Sequence, residues 1–509
     1  MGITGTSEDD TLAGGVGNDT VYGLEGNDHL SGHDDRDHLE GGSGEDTLLG
    51  GGGTDHLLGG SGDDHLDGQY GADVMRGGWG WDTYYVDNVG DEIIENDDGG
   101  FDFVYSSVSY TLQDHVEHLY LTGNDDIDAT GNGGDWNNIR GNKGNNYIRG
   151  LGGDDQLNGG DGGHDTLDGG DGDDYLDAYY GDSVLLIGGG GNDYLMAREV
   201  SGNATLYGGD GNDGLSAYGA DSVYAEGGAG NDYLSAIADY ARLYGGEGND
   251  HLSGGGKDVV LDGGTGNDSY SLGSGRAEIV ELADGGHDEV EVWGDAYTLG
   301  QYIEDATFYG RVLYANNLDN VILAAEDYWT PEEIKAFVYA GGGNDYITLE
   351  RDAFVNGGAG NDTINPEWSG ATSELHGGGG DDVFEITGYS FSTMYGDSGR
   401  DTFVLGDWTY VYGGGSRTNT IADFDGREDR IVLQDFDHLG QSGELASRYF
   451  RAGEGATAVA QDENDRIIFD TSTGALYYDA DANGAGAQML IAMINVESGL
   501  LNHTDFTVA

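Results

Sequence analysis

The chain has 509 residues, enough for several domains, with 99 Gly, two Pro and no Cys. Glycine is far above its average share of about 7%, and 96 acidic residues against 19 basic ones give a net charge of −77. Such a chain repels itself when it is compact, and its charge argues against nucleic acid or an anionic membrane as a partner. Divalent cations are its natural ligands.

The ends and the hydropathy of the chain bear on its location. No run of about 18 apolar residues occurs, which predicts no transmembrane segment. The segment from Met1 to Gly5 has neither a basic region nor an apolar core, so no cleavable signal peptide is visible. The absence of cysteine suits a chain that is exported unfolded into an oxidising exterior.

A nine-residue repeat occupies the N-terminal part of the chain. From Gly14 the sequence reads GGVGNDTVY, GLEGNDHLS, GHDDRDHLE and onward in one register. The residue two places after each repeat aspartate is always apolar, from Leu12 to Tyr84. Two registers kept together this long argue against a disordered Gly/Asp linker. The aspartates of this first array are Asp10, Asp19, Asp28, Asp37, Asp46, Asp55, Asp64, Asp73 and Asp82.

Two further arrays follow the first. The second runs from about Asn132 to Tyr270, and the third covers about 340–412. Their spacing widens from 9–10 residues to 17–20, and the residue two places after each aspartate is again apolar. The aspartates of these arrays are Asp155, Asp165, Asp174, Asp193, Asp213, Asp232, Asp250, Asp268, Asp345, Asp362, Asp382 and Asp401.

The segments between the arrays are related to each other. Asp98–Val104 (DGGFDFV) and Asp284–Val290 (DGGHDEV) each precede a Tyr-Thr-Leu pattern, and both connectors are β-rich by composition. The second connector also predicts a short helix at Thr330–Glu333, because a Thr/Glu capping pair brackets Pro331 at the first helical position. The repeat stops at residue 413, after which we expect a β-rich cap.

The repeat GGxGxDxUx, where U is apolar, suits a calcium-binding turn followed by a strand. Six residues must turn sharply, and glycine supplies both positive φ and close approach of the backbone. The remaining three form a short strand with its apolar side chain inward, so two repeats make one coil of about 18 residues. Calcium binds six to eight oxygens in irregular geometry, and each turn offers carbonyls and one carboxylate. A core one layer thick cannot offset the chain entropy, so metal binding must supply folding energy.

This nonapeptide resembles that of the RTX family, the hemolysin-type calcium-binding repeats. The resemblance implies a secreted β-roll that binds multiple Ca²⁺ ions, about one at each motif aspartate. It extends to the C-terminal region, where Ile421–Asp425, Gly474–Asp479 and Asp505–Val508 are similar to the export region of type I-secreted members. This implies a type I secretion machinery as a partner, although the chain ends in Thr-Val-Ala rather than in a bulkier apolar run.

We therefore predict an all-β protein, a parallel β-roll or β-helix solenoid in three blocks with β-rich connectors and a C-terminal β cap. The predicted domains are residues 1–85 (first block), 86–122 (connector), 123–275 (second block), 276–339 (connector with one short helix), 340–412 (third block) and 413–509 (cap and type I secretion region).

The second array predicts an uneven distribution of metal. From Gly188 the full motif recurs once per coil, and the intervening half-coils keep Asp182, Asp221 and Asp239 without the preceding glycines. A backbone without those glycines cannot reach positive φ at low cost. We expect residues 188–268 to bind calcium along one edge only, with apolar and Tyr packing along the other.

Some weaker patterns each have a plain structural alternative. Asp479–Gly484 opens like an EF-hand loop, but Leu490 stands at the twelfth position, where a bidentate Glu is required, and this favours a tight turn. Four histidines directly follow a motif aspartate and form either a metal site or exposed strand positions: His29, His38, His56 and His65.

Aromatic residues also recur on the coils. They suit either glycan or partner binding or simple strand formation, since aromatic residues favour strands. The residues concerned are Trp79, Trp81, Tyr175, Tyr194 and Tyr233.

These patterns predict a function without catalysis. The HExxH and GxSxG motifs are absent from the sequence, and carboxylates are too abundant for a catalytic pair to stand out. We predict a secreted, extracellular calcium-binding protein with a structural or surface-interaction role, which assembles with itself or binds a surface glycan. The alternative from another class is the export and folding region of an RTX enzyme, for example one that acts on polysaccharide.

Overall fold

The computed structural model describes residues 2–97, 100–134, 136–273, 277–283, 285–326, 335–367, 373–386, 390–406, 418–455, 460, 464–481 and 488–509. The helix predicted at Thr330–Glu333 lies outside these residues. Contacts divide the chain into two units, the first comprising Met1–Asp268 with Arg276–Ile279 and the second Ser269–Gly275 with Val280–Ala509.

Regular structure is almost entirely β-strand in the described residues, with single 3-10 turns at Ser447–Tyr449 and His503–Asp505. The first strands are β1 (Gly2–Thr4), β2 (Thr11–Val16), β3 (Thr20–Glu25), β4 (His29–Asp34), β5 (His38–Ser43), β6 (Thr47–Gly53), β7 (His56–Ser61), β8 (His65–Gly71), β9 (Val74–Trp79), β10 (Thr83–Val86), β11 (Glu92–Ile93), β12 (Phe103–Ser106), β13 (Tyr110–Thr111), β14 (His118–Leu121), β15 (Ala129–Thr130), β16 (Asn138–Arg140), β17 (Tyr147–Gly152), β18 (Gln156–Asp161), β19 (His164–Asp171), β20 (Tyr175–Tyr179), β21 (Ser183–Gly190), β22 (Tyr194–Arg198), β23 (Asn203–Asp210), β24 (Gly214–Tyr218), β25 (Ser222–Ala229), β26 (Tyr233–Ile237), β27 (Tyr240–Glu247), β28 (His251–Gly255) and β29 (Asp258–Thr265).

The later strands are β30 (Ser269–Leu272), β31 (Ala277–Val280), β32 (Glu289–Val292), β33 (Ala296–Thr298), β34 (Asp305–Phe308), β35 (Val312–Tyr314), β36 (Val321–Ala324), β37 (Ala336–Tyr339), β38 (Tyr346–Leu349), β39 (Ala353–Ala359), β40 (Thr363–Asn365), β41 (Glu374–Gly379), β42 (Val383–Ile386), β43 (Thr393–Ser398), β44 (Thr402–Gly406), β45 (Asn419–Asp425), β46 (Arg430–Gln434), β47 (Gly443–Glu444), β48 (Phe450–Gly453), β49 (Ile467–Asp470), β50 (Ala475–Tyr478), β51 (Met489–Ser498) and β52 (Phe506–Val508).

The strands of the first unit alternate between two columns. Even-numbered strands pair in parallel with even-numbered strands, and odd-numbered strands with odd-numbered ones. In the first array the partners are one 18-residue coil apart, as in Gly2 with Thr20 and Thr11 with His29. This register confirms the predicted all-β, parallel β-roll fold, in which two nonapeptides close one coil.

The strands are longer than the three residues expected from the motif. Strand β3 has six residues, because its pairing with β5 continues beyond the apolar position to Leu24 with Gly42 and Glu25 with Ser43. The glycine segment therefore takes part in the parallel ladder as well as in the turn.

The core lies between the two columns and is one side chain deep. The residue two places after each aspartate points inward, and from Val21 to Tyr84 every such side chain is fully buried. The connector after the first array keeps this arrangement. Strand β12 pairs in parallel with β10 on one side and with β14 on the other, so that Phe103 lies opposite Thr83 and His118. The connector thus forms further coils of the same kind.

The second unit repeats the two-column plan. Its even column runs from β30 to β46 and its odd column from β33 to β45, all in parallel pairs. The C-terminal residues extend both columns, because β52 pairs with β46 and β51 with β45, and β50 joins β49 and β51 in antiparallel pairs. In the residues described, there is no helix of the length and apolar character that a membrane crossing needs.

Candidate metal sites

The motif aspartates fall into two rows, each at the turn that precedes one column of strands. We call them the even row and the odd row after the strands they precede. In the first unit the odd row contains Asp19, Asp37, Asp55, Asp73 and Asp165. The even row contains Asp10, Asp28, Asp46, Asp64, Asp82, Asp155, Asp174, Asp193, Asp213, Asp232, Asp250 and Asp268, and the even row of the second unit contains Asp345, Asp362, Asp382 and Asp401.

One carboxylate oxygen of most row members is used by the fold itself. The Oδ1 atom accepts a hydrogen bond from the backbone N–H one coil earlier, as in Asp10 N–H to Asp28 at 2.8 Å and Asp19 N–H to Asp37 at 2.7 Å. The same bond recurs along the arrays at 2.7–2.9 Å. Oδ1 therefore fixes the position of the carboxylate in its turn.

The second oxygen of most row members is buried without a partner. Uncompensated burial of a carboxylate oxygen is costly, so this atom calls for a cation or a proton. Within the described residues, buried Oδ2 atoms without a hydrogen-bond partner occur in Asp28, Asp37, Asp46, Asp55, Asp64, Asp73, Asp82, Asp155, Asp174, Asp193, Asp213, Asp232, Asp345, Asp362 and Asp382.

The glycines of the turn make room for this oxygen. A Cβ atom on Gly23 would lie 2.2 Å from Oδ2 of Asp28 and 2.7 Å from the carbonyl oxygen of Gly41, so the carboxylate and a carbonyl of the next coil converge there. Gly42 and Gly44 have φ of 122° and 129°, which only glycine adopts readily. Carboxylate and carbonyl oxygens at one point are the donor set that Ca²⁺ prefers.

Burial also changes the acidity of the rows. Desolvation raises the pKa of Asp46 to about 6, that of Asp82 to about 7 and that of Asp64 to about 8, against a partial lowering by the backbone N–H bond. Neighbouring row members raise the pKa further by charge repulsion. A bound dication offsets both effects.

The odd row loses its aspartates in the second array. Asp165 is opposite Val184 in the next coil, and Asp182, two residues before that valine, is exposed. The later coils likewise place buried apolar residues at the row position: Ala204, Val223, Ala241 and Val259. The placement agrees with the predicted difference between the edges, while calcium binding at one edge only stays a prediction.

Sequence reasoning missed some members of the rows. Asp91 and Asp102 each accept the same hydrogen bond from the coil before. Asp73 N–H donates to Oδ1 of Asp91 at 3.0 Å, and Asp82 N–H donates to Oδ1 of Asp102 at 2.8 Å. In the second unit Asp429 accepts it from Asp401 N–H at 3.0 Å. Asp102 could have been found from the DGGFD segment, whereas Asp429 stands in the sequence Arg-Glu-Asp-Arg and has no glycine signal.

Asparagine takes the row position where a connector meets an array. The amide of Asn146 donates to the Ile127 carbonyl and to Oδ1 of Asn142, whose own amide donates to the carbonyls of Thr122 and Asp125. An amide N–H can thus satisfy turn carbonyls in place of a cation. The same substitution occurs at Asn137.

The weaker patterns are placed as follows. His38 and His56 are register partners, as their spacing predicts, and Arg36 lies 3.0 Å from Nε2 of His56, which does not favour a cation there. His29 and His65 are not register partners of each other, because Thr47 lies between them in the even column and is the partner of both. Residues 482–487 of the EF-hand-like segment lie outside the described residues.

Comparison with known proteins gives the same reading of the repeat. A family model of the RTX calcium-binding nonapeptide repeat matches residues 4–39, 22–57, 31–66, 58–93, 130–163, 244–277 and 349–365. This chain contains RTX calcium-binding nonapeptide repeats in several copies. No curated protein matches it. The RTX repeats bind multiple Ca²⁺ ions, and the buried Oδ2 atoms fit such ions because each is an unpaired anionic oxygen beside backbone carbonyls.

Proposed function

We propose that this RTX-repeat protein is exported unfolded, folds on calcium outside the cell and acts there in a structural or surface-interaction role, as part of a surface layer, a matrix or an adhesive. The observation that carries the proposal is the pair of buried carboxylate rows. Their unpartnered oxygens make the fold depend on calcium, which is scarce in the cytosol and abundant outside.

Exposed aromatic side chains support a surface-interaction role. Tyr85, which is exposed, stacks on half-buried Tyr105, and Tyr105 stacks on half-buried Tyr120 of the next strand in the even column, with ring centroids 5.5 and 5.3 Å apart. Trp79 and Trp81, at the last turn of the first array, are 64% and 56% exposed. Aromatic surface that is left in water is typical of binding faces.

Electron microscopy of the secreted protein tests this role. In millimolar calcium we expect sheets, filaments or retention on the cell surface, and we expect these to disappear in EDTA. The variant Trp79→Ser/Trp81→Ser should assemble or bind less while it keeps its β signal, because both side chains are exposed.

Two outcomes count against the proposal. A monodisperse monomer in calcium that cells do not retain would contradict the structural role. A catalytic domain in the same secreted polypeptide would favour the alternative, the export and folding region of an RTX enzyme.

A further inference from the structure

Three carboxylates meet where the first array passes into its connector. Asp82 precedes β10, Asp102 precedes β12 one coil later, and Glu95 follows β11 between them. One oxygen of each lies within 4.8 Å of the others. Two of these residues come from the connector, outside the nonapeptide arrays.

The two aspartates are fully buried and each has an unused oxygen. Both are 0% exposed. Oδ1 of Asp82 accepts from Asp64 N–H at 2.7 Å and Oδ1 of Asp102 from Asp82 N–H at 2.8 Å. Their Oδ2 atoms are buried and have no hydrogen-bond partner within the described residues.

Glu95 is held in place rather than free in solvent. Its Oε1 accepts from the Tyr84 hydroxyl, and its Oε2 accepts from Gly78 N–H at 3.3 Å and Asn96 N–H at 3.1 Å. The Tyr84 oxygen in turn accepts from Gly77 N–H at 2.6 Å. The side chain is thus oriented by several bonds.

The backbone leaves room for a ligand beside these oxygens. A Cβ on Gly77 would lie 2.0 Å from Oδ2 of Asp82 and 2.3 Å from the Tyr84 oxygen, so both atoms converge on this glycine. Across the part of the chain that the structure describes, no lysine or arginine forms an ion pair with Asp82, Glu95 or Asp102. Within the described residues the cluster therefore has three carboxyl groups and no basic side chain as an ion-pair partner.

We propose that Asp82, Glu95 and Asp102 form a calcium site of their own, in which the connector glutamate supplies the third carboxylate. Only oxygen donors are present, which suits Ca²⁺ rather than a transition metal. The turn before Asp102 keeps Gly100, with φ of 135°, but not the glycine pair of the repeat. In the proposed site Glu95 supplies an oxygen from outside the repeat motif.

The sequence repeats the same spacing once more. Asp82, Tyr84, Glu95 and Asp102 are separated by 2, 11 and 7 residues, and the identical intervals recur at the start of the second connector. The residues with these intervals there are Asp268, Tyr270, Glu281 and Asp288. A glutamate retained at this interval in both connectors is consistent with a role as a ligand.

Calcium titration calorimetry on Glu95→Gln tests the site, with Glu92→Gln as the matched control, because Glu92 is an exposed acid on β11. We expect Glu95→Gln to lose one ion from the bound count, or to weaken one site by about tenfold or more. Glu92→Gln should match the wild type. Circular dichroism in saturating calcium shows whether each variant folds.

Unchanged ion count and affinities in folded Glu95→Gln would overturn the proposal. If that variant does not fold, a crystal structure of the calcium-loaded wild type decides. An ion within about 2.3–2.6 Å of Glu95 and Asp102 oxygens supports the site, whereas carboxyls in direct contact that share protons overturn it. These readouts concern ion binding alone and are independent of whether the protein assembles.

Discussion

At the scale of single residues, the aspartate of each repeat has two separate tasks. In Asp213, Oδ1 accepts the Asp193 N–H at 2.8 Å and so belongs to the fold, while Oδ2 is buried without a partner within the described residues. One side chain therefore links the coil ladder to the metal.

Replacing Asp213 should reduce calcium binding, whereas replacing Asp221 should not. Asp213 is 3% exposed in the even row. Asp221 is exposed, and Val223 occupies the odd-row position of its coil. We expect Asp213→Ala to lower the bound calcium by about one ion and to lower Tm in calcium, and Asp221→Ala to resemble the wild type. A metal ion found at Asp221 in a calcium-loaded crystal would contradict this.

The buried rows also predict how the metal-free chain responds to pH. The pKa of Asp46 is raised to about 6 and that of Asp64 to about 8, whereas an aspartate in the unfolded chain ionises near 3.8. These groups add stability that is complete below the unfolded pKa and is lost as pH rises through 6–8. In EDTA, circular dichroism should show more β structure at pH 5 than at pH 8.

In the presence of calcium, stability should depend on pH in the opposite direction. Protons compete for the same carboxylates, so calcium affinity should fall as pH drops through the range of the raised pKa values. Titrations at pH 8 and pH 6 measure the change. Metal-free β structure that does not vary with pH would show that the rows do not titrate as described.

At the scale of the element, the glycines of one turn differ in whether the backbone requires glycine at their position. In the turn Gly188–Asp193, Gly191 has φ of 133°, and a Cβ there would lie 2.2 Å from the Gly172 carbonyl oxygen. Gly190 has ordinary φ, and its Cβ would meet only Oδ1 of Asp171 at 3.9 Å. Close stacking of carbonyls thus depends on particular glycines.

Alanine at these two positions should therefore have different effects. Gly191→Ala should destabilise the calcium-loaded protein by about 1–3 kcal/mol through backbone strain and should lower calcium affinity. Gly190→Ala, in the same turn, should leave both unchanged. Thermal unfolding in calcium compares the pair. Equal Tm values for the two variants would contradict the account of the turn.

At the scale of the whole molecule, charge and core thickness act together. A net charge of −77 opposes compaction, and the core is one layer of Leu, Ile, Val and aromatic side chains. The parallel ladder and this layer stabilise the coils, but the buried rows require their cations. The fold and its metal content are therefore linked.

Calcium should fold the protein cooperatively. Circular dichroism in EDTA at pH 8 should show coil, and β signal should develop on addition of calcium, because about two charges are neutralised by each ion. An equal ionic strength of sodium is the control, which separates ion binding from screening. A full β spectrum in EDTA at this pH would contradict the prediction.

Export is expected to depend on the C-terminal region. Deletion of 413–509 should abolish secretion by a type I machine, because Asp505–Val508 is similar to the export region of type I-secreted RTX proteins. It should also impair calcium-triggered folding, because β51 and β52 extend the two columns and Phe506 is fully buried. Asp213→Ala, which leaves this region intact, should still be exported. The measurement is the amount of each chain in the medium, and normal export of the truncated chain would refute the assignment.

The sequence by itself determined the coil. A period of nine with glycine, aspartate and an apolar residue in fixed places predicts a turn and a short strand in every repeat, with Leu30, Leu39 and their equivalents inside. Tertiary structure decided what depends on residues far apart in the chain. It placed Val223 rather than Asp221 at the row position, put Asn146 where an ion would bind, and brought Glu95 to Asp82 and Asp102. Contacts across a coil depend on register and backbone direction, and those are set only when the neighbouring coil is in place.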